Sequence, residues 1–148
     1  MIKVNVLDKY NDKSLSFKNI RFICEYVLKE LSVDRAELTV VICSDDDIRK
    51  YNKEFRNKDY PTDVLSFPYG EKLGRYVYLG DIIISMDRVY SQSYEYDVKP
   101  FEEFVRLLVH GVLHLLGYDH ETSEDDERKM MELQDRLIDE ILVSFEIG

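Results

Sequence analysis

The chain has 148 residues, the size of one domain, and can bury a core without disulfide support. Its formal net charge is -10, where a polyanion-binding protein is more often basic, so composition alone argues against a nucleic-acid substrate. It has no apolar run of the roughly 18 residues needed to enter a membrane. Its start, Met1-Ile2-Lys3-Val4-Asn5-Val6-Leu7, alternates polar and apolar residues rather than spelling a signal peptide. A cytoplasmic protein with no membrane partner is the expectation.

In chain order, that alternating start predicts a strand. Phe17, Ile20, Cys24, Val27, Leu28 and Leu31 recur at helical spacing behind a candidate N-cap, Ser16. Ala36 to Cys43 is short, apolar and β-branched, which predicts a second strand. Ser44 or Asp45 caps the next helix, to about Phe55, with acids in its first turn where the helix dipole favours them. Arg56 to Asp63 is polar, contains Pro61 and is predicted as a loop. Val64 to Phe67 is strand-like and is expected to stop at Pro68, with Gly70 and Gly74 marking a connection. Val77 to Ser85, with Ile82-Ile83-Ile84 at its centre, predicts a strand inside the sheet, antiparallel to the one before it.

A short helix is predicted around Asp87 to Tyr94. Pro100 suits the first turn of another, which runs to about Leu116 and is apolar on most sides, the mark of a buried helix. A last helix begins at Ser123 or Glu124 and shows an apolar face of Met130, Leu133, Leu137, Ile141 and Phe145. The order βαβαββααα predicts an α+β fold: a small mixed four-stranded sheet with packed helices, and a candidate metal site on the buried central helix and the loop after it. No repeat, low-complexity segment or linker divides the chain, so residues 1–148 are expected to form one domain. Cys24 and Cys43 are far apart and make no C-x-x-C pair, so they are read as buried small hydrophobes in a reducing compartment.

The chemistry gathers in His110-Gly111-Val112-Leu113-His114-Leu115-Leu116-Gly117-Tyr118-Asp119-His120, which holds every histidine of the chain. His110 and His114 are four apart on a helix, so one ion can reach both imidazoles. Gly117 suits a left-handed helix terminus, after which the chain can turn back and offer His120 as third ligand. Three protein ligands and one open position is the arrangement of catalytic zinc; structural sites close all four. The plainer alternative is two packed core histidines and one at the surface, but imidazoles facing each other in an apolar helix are costly to bury without a partner. The spacing H-x-x-x-H-x-x-G-x-x-H equals that of the metzincin proteases. Those carry Glu after the first histidine as general base. Here Gly111 stands in its place, and glycine cannot take up a proton. It also costs about 1 kcal/mol inside a helix, which suggests that close packing requires it.

This segment resembles the H-G-x-L-H-L-x-G-Y-D-H signature of the YbeY-type endoribonucleases, also called rRNA maturation factors. Thr62-Asp63-Val64-Leu65-Ser66-Phe67-Pro68 and Leu79-Gly80-Asp81-Ile82 are similar to the two other blocks of that family, in the same order and spacing. The resemblance implies a bacterial cytosolic, zinc-dependent, single-strand-specific endoribonuclease acting in 16S rRNA maturation and ribosome quality control, one Zn2+ per chain. It implies RNA (an rRNA precursor) and the ribosome or its associated proteins as partners. His110, His114 and His120 match the family's zinc ligands, and Arg56 its functional arginine upstream of T-D-V-L-S-F-P. Arg56 and His114 are therefore the candidate catalytic residues; without the resemblance, a surface salt bridge is the favoured reading of Arg56. The alternatives are a metal-dependent peptidase with a base from elsewhere, and a non-catalytic ribosome-assembly factor.

Three further expectations concern the surroundings. The basic run Arg49, Lys50, Lys53, Arg56 and Lys58 is expected along one wall of the metal cleft. Asp81 or Asp119 is a candidate to orient a histidine, with loop capping as the competing reading for these and for Asp63. Tyr60, Tyr69 and Tyr118 are candidates for stacking on bases.

Overall fold

The computed structural model describes residues 1–118 and 123–147. The elements are β1 (Ile2–Asp8), α1 (Phe17–Glu30), β2 (Ala36–Cys43), α2 (Asp45–Arg56), β3 (Val64–Leu73), β4 (Tyr76–Ser85), α3 (Met86–Tyr96), α4 (Pro100–Leu115) and α5 (Glu124–Ile147). The four strands form one mixed sheet in the order β1-β2-β4-β3. β1 and β4 both run parallel to β2, and β3 runs antiparallel to β4 at the sheet edge. This is the expected α+β architecture.

Local chemistry sets the element boundaries. The hydroxyls of Ser16, Ser44 and Ser85 accept from the backbone N–H groups of Asn19, Asp47 and Arg88, capping α1, α2 and α3. Pro100 opens α4, where a missing N–H costs nothing. One expectation needs correction. β3 does not stop at Phe67; it continues through Pro68 to Leu73, with an irregularity between Pro68 and Glu71 and a tight turn at Gly74 and Arg75. Proline is tolerated there because β3 is an edge strand, so its second side needs no donor. Opposite Pro68 stands Gly80, at φ +142, where a Cβ would lie 2.1 Å from the backbone oxygen of Phe67. Only glycine lets the two strands approach that closely.

The sheet's two faces are covered unequally. On one, Leu38, Val40, Ile42, Leu79, Ile82 and Ile84 join α1, α4 and α5 in the main core. On the other, Val41, Cys43, Leu65 and Ile83 make a smaller cluster with Ile48 of α2, flanked by Tyr51 and Phe67. β3 alternates between them. Val64 packs against the main core, whereas Leu65 and Phe67 belong to the smaller cluster. The edge strand thus brings the end of α2 and the end of α4 to the same rim. Cys24 and Cys43 are free thiols, both buried. No helix among the described residues is long and apolar enough to cross a membrane.

Candidate metal centre

α4 is buried on nearly all sides, yet it carries a polar stripe at Glu103, Arg106, His110 and His114, the i, i+3, i+7, i+11 positions of one face. Glu103 is buried. It is matched by a bidentate contact from Arg106, with Nε 2.8 Å and Nη2 2.5 Å from its two oxygens, and by Gln92 at 2.6 Å. That hydrogen bonding raises the Arg106 pKa and keeps the guanidinium charged. Gln92 also donates to Asp63, which caps the start of β3 by accepting from the Val64 N–H at 2.8 Å. Asp63 therefore orders the loop before β3.

Further along the stripe, the Nε2 atoms of His110 and His114 stand 2.9 Å apart with their rings at 65°. The other nitrogen of His110, Nδ1, lies 2.8 Å from Oε1 of Gln134, a side chain of α5 only 2% exposed. An amide oxygen can only accept, so this contact favours the His110 tautomer with its proton on Nδ1, in which Nε2 offers its lone pair. Two nitrogens bound to one tetrahedral zinc at its usual bond lengths would lie about 3.3 Å apart. The observed separation is within a small ring rotation of that value. The donor set therefore fits a divalent ion that accepts imidazole nitrogen. His120 and Asp119 lie outside the described residues. Among the described residues Asp81 makes no hydrogen-bonding contact with His110 or His114; it accepts from the hydroxyls of Tyr78 at 2.7 Å and Tyr69 at 3.1 Å. Gln134 occupies the orienting position instead. The sequence carries a signal for it: a lone amide on the apolar face that runs from Met130 to Ile141.

Gly111 is explained by packing. A Cβ there would lie 2.8 Å from Cγ2 of Ile82, so α4 sits too close to β4 for any side chain. The position that bears the metzincin base faces the sheet, not the histidines. At the end of α4, the N–H of Tyr118 donates to Leu113 O and that of Gly117 to His114 O, each at 3.0 Å, with Gly117 at φ +93. This Schellman closure fixes Tyr118 beside His114.

His110 and His114 open onto a cavity of about 680 Å³, lined also by Phe55 and Arg56 of α2, Val64, Ser66, Phe67 and Pro68 of β3, and Gly117 and Tyr118. The cavity wraps over the edge strand. Among its described lining residues none is a carboxylate, and Arg56 is the one fixed charge. The described lining of an otherwise acidic protein's cavity thus carries a single guanidinium. Of the basic run, only Arg56 lines it. Arg49 and Lys53 turn to Asp59, at 2.8 and 3.9 Å. Their removal follows from the αL cap at Asn57, which bends the chain back so that Asp59 returns along α2. Of the three candidate tyrosines, only Tyr118 lines the cavity; Tyr69 stacks on Tyr78, with centroids 5.8 Å apart.

The family model described as endoribonuclease YbeY matches residues 5–142. The chain belongs to that family. Relatives named endoribonuclease YbeY include one from Sulfurihydrogenibium sp., 46% identical over 130 residues, covering 87% of this chain and 86% of the relative. Another, from Aquifex aeolicus, is 42% identical over 139 residues, covering 94% of this chain and 93% of its own length. The solution structure of a Thermotoga maritima protein superposes with a TM-score of 0.71 at 29% identity, over 99% of this chain and 92% of that one. The family match spans α2, β3 and the histidine helix α4, the elements that line the cavity.

Proposed function

We propose that this protein is a zinc-dependent, single-strand-specific endoribonuclease acting in 16S rRNA maturation and ribosome quality control, with residues 1–148 working as one hydrolase domain. The observation that carries this reading is the pairing of two converging imidazole nitrogens with a guanidinium in one cavity whose described lining holds no carboxylate. Membership of a family whose relatives bear the endoribonuclease name supports it.

In this reading His110, His114 and His120 hold the ion. When bound, it supplies Lewis acidity toward water or a phosphoryl oxygen. Gln134 keeps His110 in the tautomer whose Nε2 is available. Arg56 pairs with two oxygens of the scissile phosphate through its planar fork and stabilises the negative charge that grows during cleavage. Val64, Phe67 and Pro68 form an apolar floor that limits water around the phosphate. RNA is the substrate, the ribosome or a ribosome-associated protein is the proposed partner, and the free thiols Cys24 and Cys43 agree with a reducing, cytoplasmic setting. A peptidase reading loses support from Gly111, since the metzincin base position is filled by Ile82.

The test is cleavage of a single-stranded rRNA-precursor fragment by the zinc-loaded chain, before and after chelation, alongside a duplex RNA and casein. Cleavage of the single strand alone, abolished by chelation and restored by zinc, is expected. Casein hydrolysis, or RNA cleavage indifferent to chelation, would overturn the reading.

A further inference from the structure

Phe55 is 60% exposed, yet it lines the cavity beside Arg56. It lies on the smaller core cluster without belonging to it. Its ring meets Phe67 edge-on, with centroids 5.6 Å apart at 62°, and lies 6.3 Å from Tyr51 at 17°. Tyr51 is itself anchored: Lys9 Nζ donates to its hydroxyl at 2.5 Å and stands 5.0 Å from its ring centroid. The Phe55 ring is thus held in place from behind while much of it faces solvent. Tyr118, 37% exposed, lines the same cavity from the end of α4, where the Schellman closure fixes its backbone.

A large aromatic left open next to a cation, on a supported mount, has the chemistry of a stacking platform for a flat π-system. The neighbouring guanidinium selects a phosphate. A ligand carrying both within one cavity is a nucleotide. A base inside a duplex has both faces covered by its neighbours, so a platform of this kind accepts only a base that is already unstacked. We propose that Phe55, with Tyr118 as a second aromatic, forms a base-stacking subsite for the nucleotides flanking the phosphate at Arg56, and that this subsite contributes the preference for single strands. The inference rests on the endoribonuclease reading and adds specificity residues to it.

The experiment measures binding rather than turnover. The zinc-loaded full chain is titrated with a 2′-O-methylated single-stranded RNA oligonucleotide, shown by electrophoresis to stay intact through the titration, either fully based or carrying one abasic nucleotide at successive positions. The partners are wild type, Phe55→Ala, Phe55→Leu and Phe55→Trp, each checked for unchanged zinc content and circular dichroism. Loss of one stacked base by wild type should weaken binding about tenfold at one position in the strand. Phe55→Ala and Phe55→Leu should bind the based strand about as weakly and show no further loss with the abasic one. Phe55→Trp should bind as wild type. Leucine retains the apolar packing against Phe67, so its failure to rescue separates stacking from support. Equal abasic penalties in wild type and Phe55→Leu would overturn the subsite while leaving the endoribonuclease reading intact, provided wild type still cleaves the unmodified strand. A wild-type chain that neither binds nor cleaves single-stranded RNA would overturn both.

Discussion

The cavity is built from two helix ends of opposite character. The end of α4 is embedded: His110 and His114 stand on a helix buried on nearly all sides, Gly111 presses on Ile82, and Gln134 reaches in from α5. The end of α2 is peripheral: Phe55 and Arg56 are exposed, and beyond them Asn57 reverses the chain. The contrast follows from what each wall must do. Lone pairs that converge on an ion need side chains whose rotamers are locked by packing and outer hydrogen bonds. Groups that capture a flexible polyanion need access to solvent. Substitutions should therefore separate cleanly. Those on α4 should disturb metal and fold, whereas those on α2 should disturb RNA and leave both alone.

The largest effect is expected at His114. His114→Ala should abolish chelator-sensitive cleavage and weaken zinc binding by more than the 10- to 100-fold typical of outer-shell partners. Elemental analysis after dialysis against a zinc buffer checks it. Arg56→Ala should lower cleavage by about 100-fold, the scale of losing one charge-stabilising donor, with zinc content unchanged. Arg56→Lys should restore only part of the rate, because an ammonium cannot reproduce the bidentate fork. Zinc loss in either variant would break the separation of the two walls. Gln134→Leu should weaken zinc about 10- to 100-fold with little change in fold, since leucine fills similar space but cannot hold the His110 tautomer.

Gly111→Ala should destabilise the fold by about 1–3 kcal/mol through overpacking, less up to about 1 kcal/mol of gained helix propensity. Denaturant unfolding measures it, and the penalty should shrink in an Ile82→Ala background, where the clashing methyl is gone. Gly111→Glu should not yield peptide hydrolysis, because the side chain would be driven into the sheet.

The smallest effect concerns Asp59. The hydrogen bond from Arg49 holds its carboxyl below the ordinary aspartate range. Its contribution to stability is present at neutral pH and fades as acid protonates it through that lowered value. Both partners are exposed, so the change should be slight. Asp59→Asn should instead be visible in RNA binding. Freeing Arg49 and Lys53 should steepen the dependence of log affinity on log salt by about one contact. An unchanged slope would show that those cations lie beyond the reach of the strand.

Much of this was legible in the residues. Hydrophobic period and serine caps located the helices, and the His110–His114 spacing placed two imidazoles on one face. What stayed hidden depended on contacts between distant segments. Gln134 reads as a polar interruption of an apolar stripe until α5 is laid against α4. Pro68 reads as a terminator until β3 is known to be an edge. The basic run reads as a continuous cationic wall until the turn at Asn57 brings Asp59 back onto Arg49. Gly111 was legible as a place where packing forbids a side chain, but its neighbour Ile82 was not.

In the proposed function, α4 presents a preorganised metal centre held by His110 and His114 and tuned by Gln134. Calorimetric titration of zinc into the chelator-stripped full chain tests it most directly, run in buffers of different ionisation enthalpy for wild type, Gln134→Leu and the His110→Ala/His114→Ala double variant. One ion should bind per wild-type chain with proton release, more weakly at the same stoichiometry in Gln134→Leu, and not at all in the double variant. Zinc binding by the double variant with wild-type affinity would contradict it.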